Sequence, residues 1–195
     1  MQDGFASKTA EDTVKNTSQK VIDVLKKDRE RLEANPALVY DLVEEHVLPH
    51  FDFIKMSRLA LGKYWRQATR KQKLQFIEEF RLLLVRTYAT AMLDFSDEEI
   101  HYLPFRNEPD AKKVVVKTEV EQGSGSPIPI DYSMYIKGDE WKVYDVRIDD
   151  VSLIVNYRSA FTSEIRKEGG VAGLINKLHE RNQKVIEQTN NSNTP

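Results

Sequence analysis

Three stretches, VVVKTEVE (Val114–Glu121), IPIDYSMYIK (Ile128–Lys137) and EWKVYDVRI (Glu140–Ile148), decide the fold. Each alternates apolar and polar side chains with a period of two, the pattern of a strand wetted on one side. Val114, Val116, Thr118 and Val120 share one face, as do Ile130, Tyr132, Met134 and Ile136. Tyr144, Val146 and Ile148 continue it, with Lys142 as a solvent-facing exception. Lys117, Glu119, Asp131, Ser133, Lys137 and Asp145 stand opposite. GSGS at Gly123–Ser126 and the tight Lys137–Glu140 turn join neighbours directly, as antiparallel strands allow. With a first strand at Ile100–Leu103, the expectation is a four-stranded antiparallel meander. Its single apolar face must be covered by helices on that side only.

The remaining chain reads as helix. Val14, Val21, Val24, Leu25 and Leu32 recur at helical spacing across Thr13–Leu32. Asn35–Pro36 then ends one helix and opens another, with Asn35 as cap and Pro36 at the first helical position. Leu38, Leu42, Val43 and Val47 give the second helix its stripe, and Pro49 closes it. Thr69 and Gln72 have capping-box spacing and announce a long helix from about Arg70 to Leu93. Its apolar residues, among them Phe76, Phe80, Leu83, Leu84, Val85 and Tyr88, cover more than one face, so it is expected to be buried on several sides. Asp149 and Asp150 read as the cap of the next helix, which carries Leu153, Tyr157, Phe161 and Ile165. Gly169–Gly170 stops it, and Val171, Leu174, Ile175 and Leu178 mark a last helix. The chain thus reads as a flexible N-terminus (1–12), one α+β domain (13–187) and a disordered tail (188–195).

Bulk composition removes several classes of function. Lys and Arg number 29 against 31 Asp and Glu, a net charge of −2, so nucleic acid is not an expected partner. No run of about 18 uncharged apolar residues offers a membrane span. The chain has no cysteine, which excludes disulfides, thiolate nucleophiles and cysteine-ligated metals. The polar start MQDGFASKTAEDTVKN lacks the apolar core of a signal peptide, leaving a cytosolic protein and a processed mature form both open.

The search for chemistry yields little. His46 and His50 are four apart, but Pro49 intervenes and no HExxH pattern exists; His101 and His179 are isolated, so no metal site is expected. GSGS lacks the Lys and helix of a phosphate cradle, and no GxSxG occurs. Asp145, Asp149 and Asp150 form the best carboxylate group, for which capping is the ordinary job and acid–base catalysis by Asp145 the enzyme alternative. Arg58, Arg66 and Arg158 suit either ion pairs with acids or an anionic headgroup. What remains is a surplus of apolar side chains, which fits an apolar pocket or simply a large solid core.

FDFIKMSRLALGKYWR (Phe51–Arg66), FIEEFRLLLVRTYATAM (Phe76–Met92) and WKVYDVRIDDVSLIVNYRSAF (Trp141–Phe161) resemble the MlaC, or toluene-tolerance Ttg2D-type, family of periplasmic phospholipid-binding proteins. The resemblance runs from about Thr13 to Asn182 and shows no serious departure. It implies an NTF2-like cone with an apolar pocket between sheet and helices, no enzymatic activity and no cofactor. It further implies a periplasmic address with the signal peptide removed. The implied cargo is glycerophospholipid, carried between an outer-membrane lipoprotein–porin complex and an inner-membrane ABC transporter with a substrate-ring subunit. A monomer is expected.

Alternation and helical spacing then pick the pocket's lining. The expected tail contacts are Leu83, Leu84, Tyr88, Val116, Ile130, Tyr132, Met134, Tyr144, Val146 and Ile148, followed by Phe51, Leu61, Tyr157 and Phe161. Two alternatives stand beside this reading: an isomerase or hydrolase in such a cone using Asp145, and a non-lipid adaptor with a solid core.

Overall fold

The computed structural model describes residues 9–35, 37–94, 98–104, 111–121 and 125–192. Helix α1 (Ala10–Lys27) opens on a capping box: Asp12 N donates to Thr9 Oγ1 at 3.0 Å and Thr9 N to Asp12 Oδ2 at 3.2 Å. Satisfying amides that a helix start leaves unpaired extends order back to Ala10, inside the stretch expected to be flexible to residue 12. The single helix expected over Thr13–Leu32 breaks at Asp28, giving α1 and α2 (Arg29–Ala34). Asn35 caps α3 (Ala37–His46), its Oδ1 accepting from Ala37 N at 3.2 Å, while Pro36 lies outside the described residues. A 3-10 turn at Leu48–His50 then brings the chain to the sheet.

Asp52 pins helices to strands. It caps α4 (Phe53–Leu61) by accepting from Lys55 N at 3.0 Å. Its other oxygen accepts from the Tyr135 hydroxyl and from Lys137 Nζ at 2.9 Å. The residue is 6% exposed. Burial works to raise the carboxyl pKa, but the Tyr135 hydroxyl, the Lys55 amide and Lys137 outweigh it, and the net shift is downward from 3.8. A depressed carboxyl stabilises the fold above its unfolded pKa and loses that contribution as pH falls through the folded one. Asp52→Asn should therefore cost about 1.5–3 kcal/mol at pH 7 and progressively less below pH 3.8. Urea midpoints on both sides of that value check this; an unchanged penalty in acid would contradict it.

After α4 the chain reverses at Gly62, whose φ of 54° and ψ of −123° suit glycine alone. A Cβ there would also meet the Arg158 side chain at 3.7 Å. Arg158 crosses this elbow to donate Nε to the Leu59 carbonyl at 2.7 Å. The short α5 (Tyr64–Gln67) leads into α6 (Arg70–Tyr88), which opens with the expected reciprocal bonds of Thr69 and Gln72 at 2.9 and 3.2 Å. It ends at Tyr88, earlier than expected, and α7 (Ala91–Asp94) follows.

Five strands, not four, form one antiparallel sheet in sequence order: β1 (Ile100–Tyr102), β2 (Lys113–Val120), β3 (Ile128–Lys137), β4 (Glu140–Ile148) and β5 (Val151–Ser152). The GSGS loop lies partly outside the described residues. β5 escaped the sequence reading because Asp149 and Asp150 were assigned to a helix cap. Both lie at positive φ, 48° and 62°, and turn Ile148 onto Val151 as a two-residue hairpin. Ser152 caps α8 (Leu153–Lys167) instead, accepting from Val155 N at 3.1 Å. Replacing Asp149–Asp150 by Asn–Gly, the pair best suited to this turn, should stabilise by about 0.4–1 kcal/mol. A thermal melt shows this as a rise of roughly 1–4 °C; a lowered midpoint would contradict it.

The pleat is offset once. Tyr132 faces Val146 and Ser133 faces Asp145, but Met134 pairs with Val143, leaving Tyr144 without a partner. This bulge returns Val143 and Trp141 to the apolar face.

Gly169 and Gly170, both at positive φ, end α8, and α9 (Val171–Ser192) runs on into the segment expected to be a disordered tail. Three apolar clusters hold the structure together. α4, α6, α8 and α9 share the first, α1, α3 and the end of α6 the second, and the sheet with Ala10 and Val14 of α1 the third. α6 belongs to two of them, which explains why its apolar residues cover more than one face.

Candidate functional site

Phe51 packs against both the helical cluster and the sheet cluster, and its backbone bridges to Val143. It marks a seam between the two, and all the expected lining residues except Tyr144 fall on one side of this seam or the other. Leu61, Leu83, Leu84 and Phe161 are buried on the helical side, with Tyr88 and Tyr157 packed against them. Val116, Met134 and Val146 are buried on the sheet side, with Ile130, Tyr132 and Ile148 packed against them. Tyr144 was placed by unbroken alternation with Val146; the bulge puts it instead beside Tyr135, with ring centroids 5.8 Å apart. Lys55 Nζ sits over both rings, 3.1 and 4.1 Å from their centroids.

Burial divides the set further. Met134 at 0%, Leu61 at 1% and Val116 at 2% exposure are enclosed by protein and serve as core. Tyr88, Ile130, Tyr132, Ile148 and Tyr157 are only half-buried. That is unexpected for Ile130 and Tyr132, because β3 is the central strand and their side chains lie on the apolar face. Burial pushes the Tyr132 hydroxyl up to about 12, while part of the residue stays exposed. Partly exposed apolar side chains on a central strand are a surface on which an apolar ligand could pack.

The polar groups on this seam are phenols. Tyr88 is raised to about 12 by burial first and then by Tyr157, to which it is hydrogen-bonded. Tyr132 interacts with Thr118, whose Oγ1 donates to the Ile130 carbonyl at 2.9 Å, and Tyr102 with Ser18 of α1. Tyr102, Val143, Trp141 and Leu153 join the sheet cluster and were not among the expected lining. Alternation with Ile100 could have found Tyr102; the bulge concealed Val143 and Trp141.

The candidate catalytic acid has a structural task. Asp145 accepts from Ser152 Oγ at 2.6 Å and from Ile154 N at 3.1 Å, completing the cap of α8. Among the described residues Arg58 and Arg66 form no ion pair with an acid. His101 is less isolated than the sequence suggested: its Nε2 lies 2.8 Å from Glu121 Oε1, and with Glu99 it forms an exposed group whose ligand-type atoms lie within 4.8 Å of one another. The hydrogen bond to Glu121 leads the causes that raise its pKa. No helix among the described residues is long and apolar enough to cross a membrane.

Residues 15–180 match the MlaC protein family, and the chain belongs to it. It is 28% identical over 165 residues to the toluene tolerance protein ttg2D of Pseudomonas putida, covering 84% of this chain and 76% of that one. It is 21% identical over 170 residues to the intermembrane phospholipid transport system binding protein MlaC of Haemophilus influenzae, covering 86% and 79%. A phospholipid-binding protein from Ralstonia solanacearum, solved in complex with a phospholipid, superposes with a TM-score of 0.84 at 36% identity. That match covers 91% of this chain and 98% of the other.

Proposed function

We propose that this protein is a periplasmic carrier that encloses glycerophospholipid tails in a cone between the sheet and the helices. It passes the lipid between an outer-membrane lipoprotein–porin complex and an inner-membrane ABC transporter, acting as a monomer without a cofactor and without chemistry on its cargo. The observation that carries the reading is half-buried apolar surface on the central strand of a fold shared with a protein solved holding a phospholipid. The physics agrees: each methylene of an acyl chain costs about 0.8 kcal/mol in water, so a free lipid cannot cross an aqueous gap in useful amounts. Tails inside and phosphate at the rim avoid burying an unpaired charge. Asp145 being committed to a helix cap supports transport over catalysis.

Transfer between vesicles tests this. The purified chain should accelerate movement of a fluorescent phospholipid from donor to acceptor vesicles in proportion to its concentration. A rate equal to spontaneous exchange would overturn the proposal.

A further inference from the structure

We infer that the surface made by α5 and the first turns of α6 docks the protein onto an anionic lipid bilayer. Between Asp52 and Glu78 the chain carries seven Lys and Arg and no acid, so the rest of a chain of net charge −2 carries −9. One of the seven, Lys55, is held over the Tyr135 and Tyr144 rings. Five of the others gather at this surface. Lys63, Arg66, Arg70 and Lys71 are exposed, and Lys73 Nζ lies 5.4 Å from the Trp65 ring centroid, which sets the start of α6 beside α5. None of the five forms an ion pair among the described residues, and Glu78, the first acid after them, is taken by Arg81 at 2.6 Å.

These cations work against the helix that presents them. A helix start carries partial positive charge and favours acids, as in α1 with Glu11 and Asp12 in its first turn. α6 has no acid there: Arg70 and Lys71 occupy its first two positions, and the neutral Gln72 closes its capping box. Cations set on a positive helix end repel it until an outside anion meets them.

The neighbouring side chains identify that anion. Leu74, 61% exposed, follows Arg70 and Lys71 by one turn on the same face of α6. Tyr64 and Trp65 are half-buried against the helical cluster, with Lys63 and Lys73 over their rings. An exposed leucine beside Trp, Tyr and long cationic side chains suits the boundary of a bilayer. Apolar and aromatic groups enter among the headgroups there, while Lys and Arg reach the phosphates. A nucleic acid would give Leu74 nothing to bury against. α6 runs from this surface to Tyr88 on the seam, so docking and cargo share a helix without sharing residues.

Vesicle sedimentation of the purified protein tests this, comparing phosphatidylcholine alone with phosphatidylcholine carrying roughly 30% phosphatidylglycerol. Wild type should bind the neutral vesicles about tenfold or more weakly than the anionic ones, and lose most of that difference in about 0.5 M salt. Arg70→Gln/Lys71→Gln should lower affinity for the anionic vesicles by about 10- to 30-fold, roughly fivefold for each cation. Its thermal midpoint should stay level or rise, because two charges leave a positive helix end. Lys26→Gln/Lys27→Gln, which removes the same charge from the end of α1, should bind as wild type does. Equal binding to both vesicles overturns the inference, as does an Arg70/Lys71 variant that binds like wild type or melts lower. A loss shared equally by the Lys26/Lys27 variant overturns it too. Wild type that sediments with neither vesicle overturns it in favour of an acidic protein partner. Lipid carriage is read separately, by extraction of the purified protein.

Discussion

Ile130→Glu is expected to strip the protein of lipid while leaving it folded. Ile130 lies on the apolar face of the central strand, paired with Thr118 and Ile148, and its side chain is half-buried rather than enclosed. A carboxylate there reaches partial solvent in the empty protein, so the cost to folding is moderate. Against an acyl chain the same group is an unpaired charge worth several kcal/mol, enough to lower affinity by about a hundredfold or more. The contrast with Met134 is instructive. At 0% exposure it has no solvent to turn to, and Met134→Glu should unfold the domain instead. Retained lipid and thermal midpoints of the two variants check this together. Normal lipid content in Ile130→Glu would show that the half-buried surface is not where the tails lie.

Among truncations to alanine, Phe80→Ala is expected to have the largest effect on stability, a loss of about 3–5 kcal/mol. Phe80 is 0% exposed and sits at the centre of an aromatic cluster. Its ring centroid lies 5.6 Å from Phe76, 5.3 Å from Phe161 in an edge-on contact, and 5.3 Å from Tyr157. These belong to α6 and α8, so the cavity left by an alanine is walled by two helices already packed against neighbours and can collapse only partly. At roughly 2–4 °C per kcal/mol for a chain of this size, the thermal midpoint should fall by about 6–20 °C. A drop equivalent to less than about 1 kcal/mol would mean that the cluster repacks.

Much of this was legible in the chain because local chemistry agreed with the tertiary outcome. Thr69 and Gln72 announce α6, Gly169–Gly170 closes α8, and the alternation of β2 and β3 gives the apolar face directly. The failures share a cause: a rule with two solutions met a neighbour that chose the other one. Asp149 and Asp150 are good caps and also tolerate positive φ, and the hairpin took them. Tyr144 obeyed the period of two until a bulge, invisible to periodicity, turned it to the other face. Thr9 and Asp12 carried a capping signal, spaced as Thr69 and Gln72 are, that extended order beyond the expected boundary.

The seam itself was only partly legible. Apolar residues that end up enclosed and those that end up partly exposed look alike in sequence, so Met134 and Tyr132 drew the same expectation. Burial separates them. Phe51 to Arg66 carried the family signature, yet its physical contributions are Asp52 binding α4 to the sheet and Gly62 reversing the chain toward α6.

The most direct measurement is organic extraction of the protein as purified, followed by mass spectrometry of the extract. Glycerophospholipid in stoichiometric amount is the expected result, with Ile130→Glu yielding little. A wild-type extract free of phospholipid, from a folded protein that also takes none up from vesicles, would contradict the assignment of the seam as a lipid site.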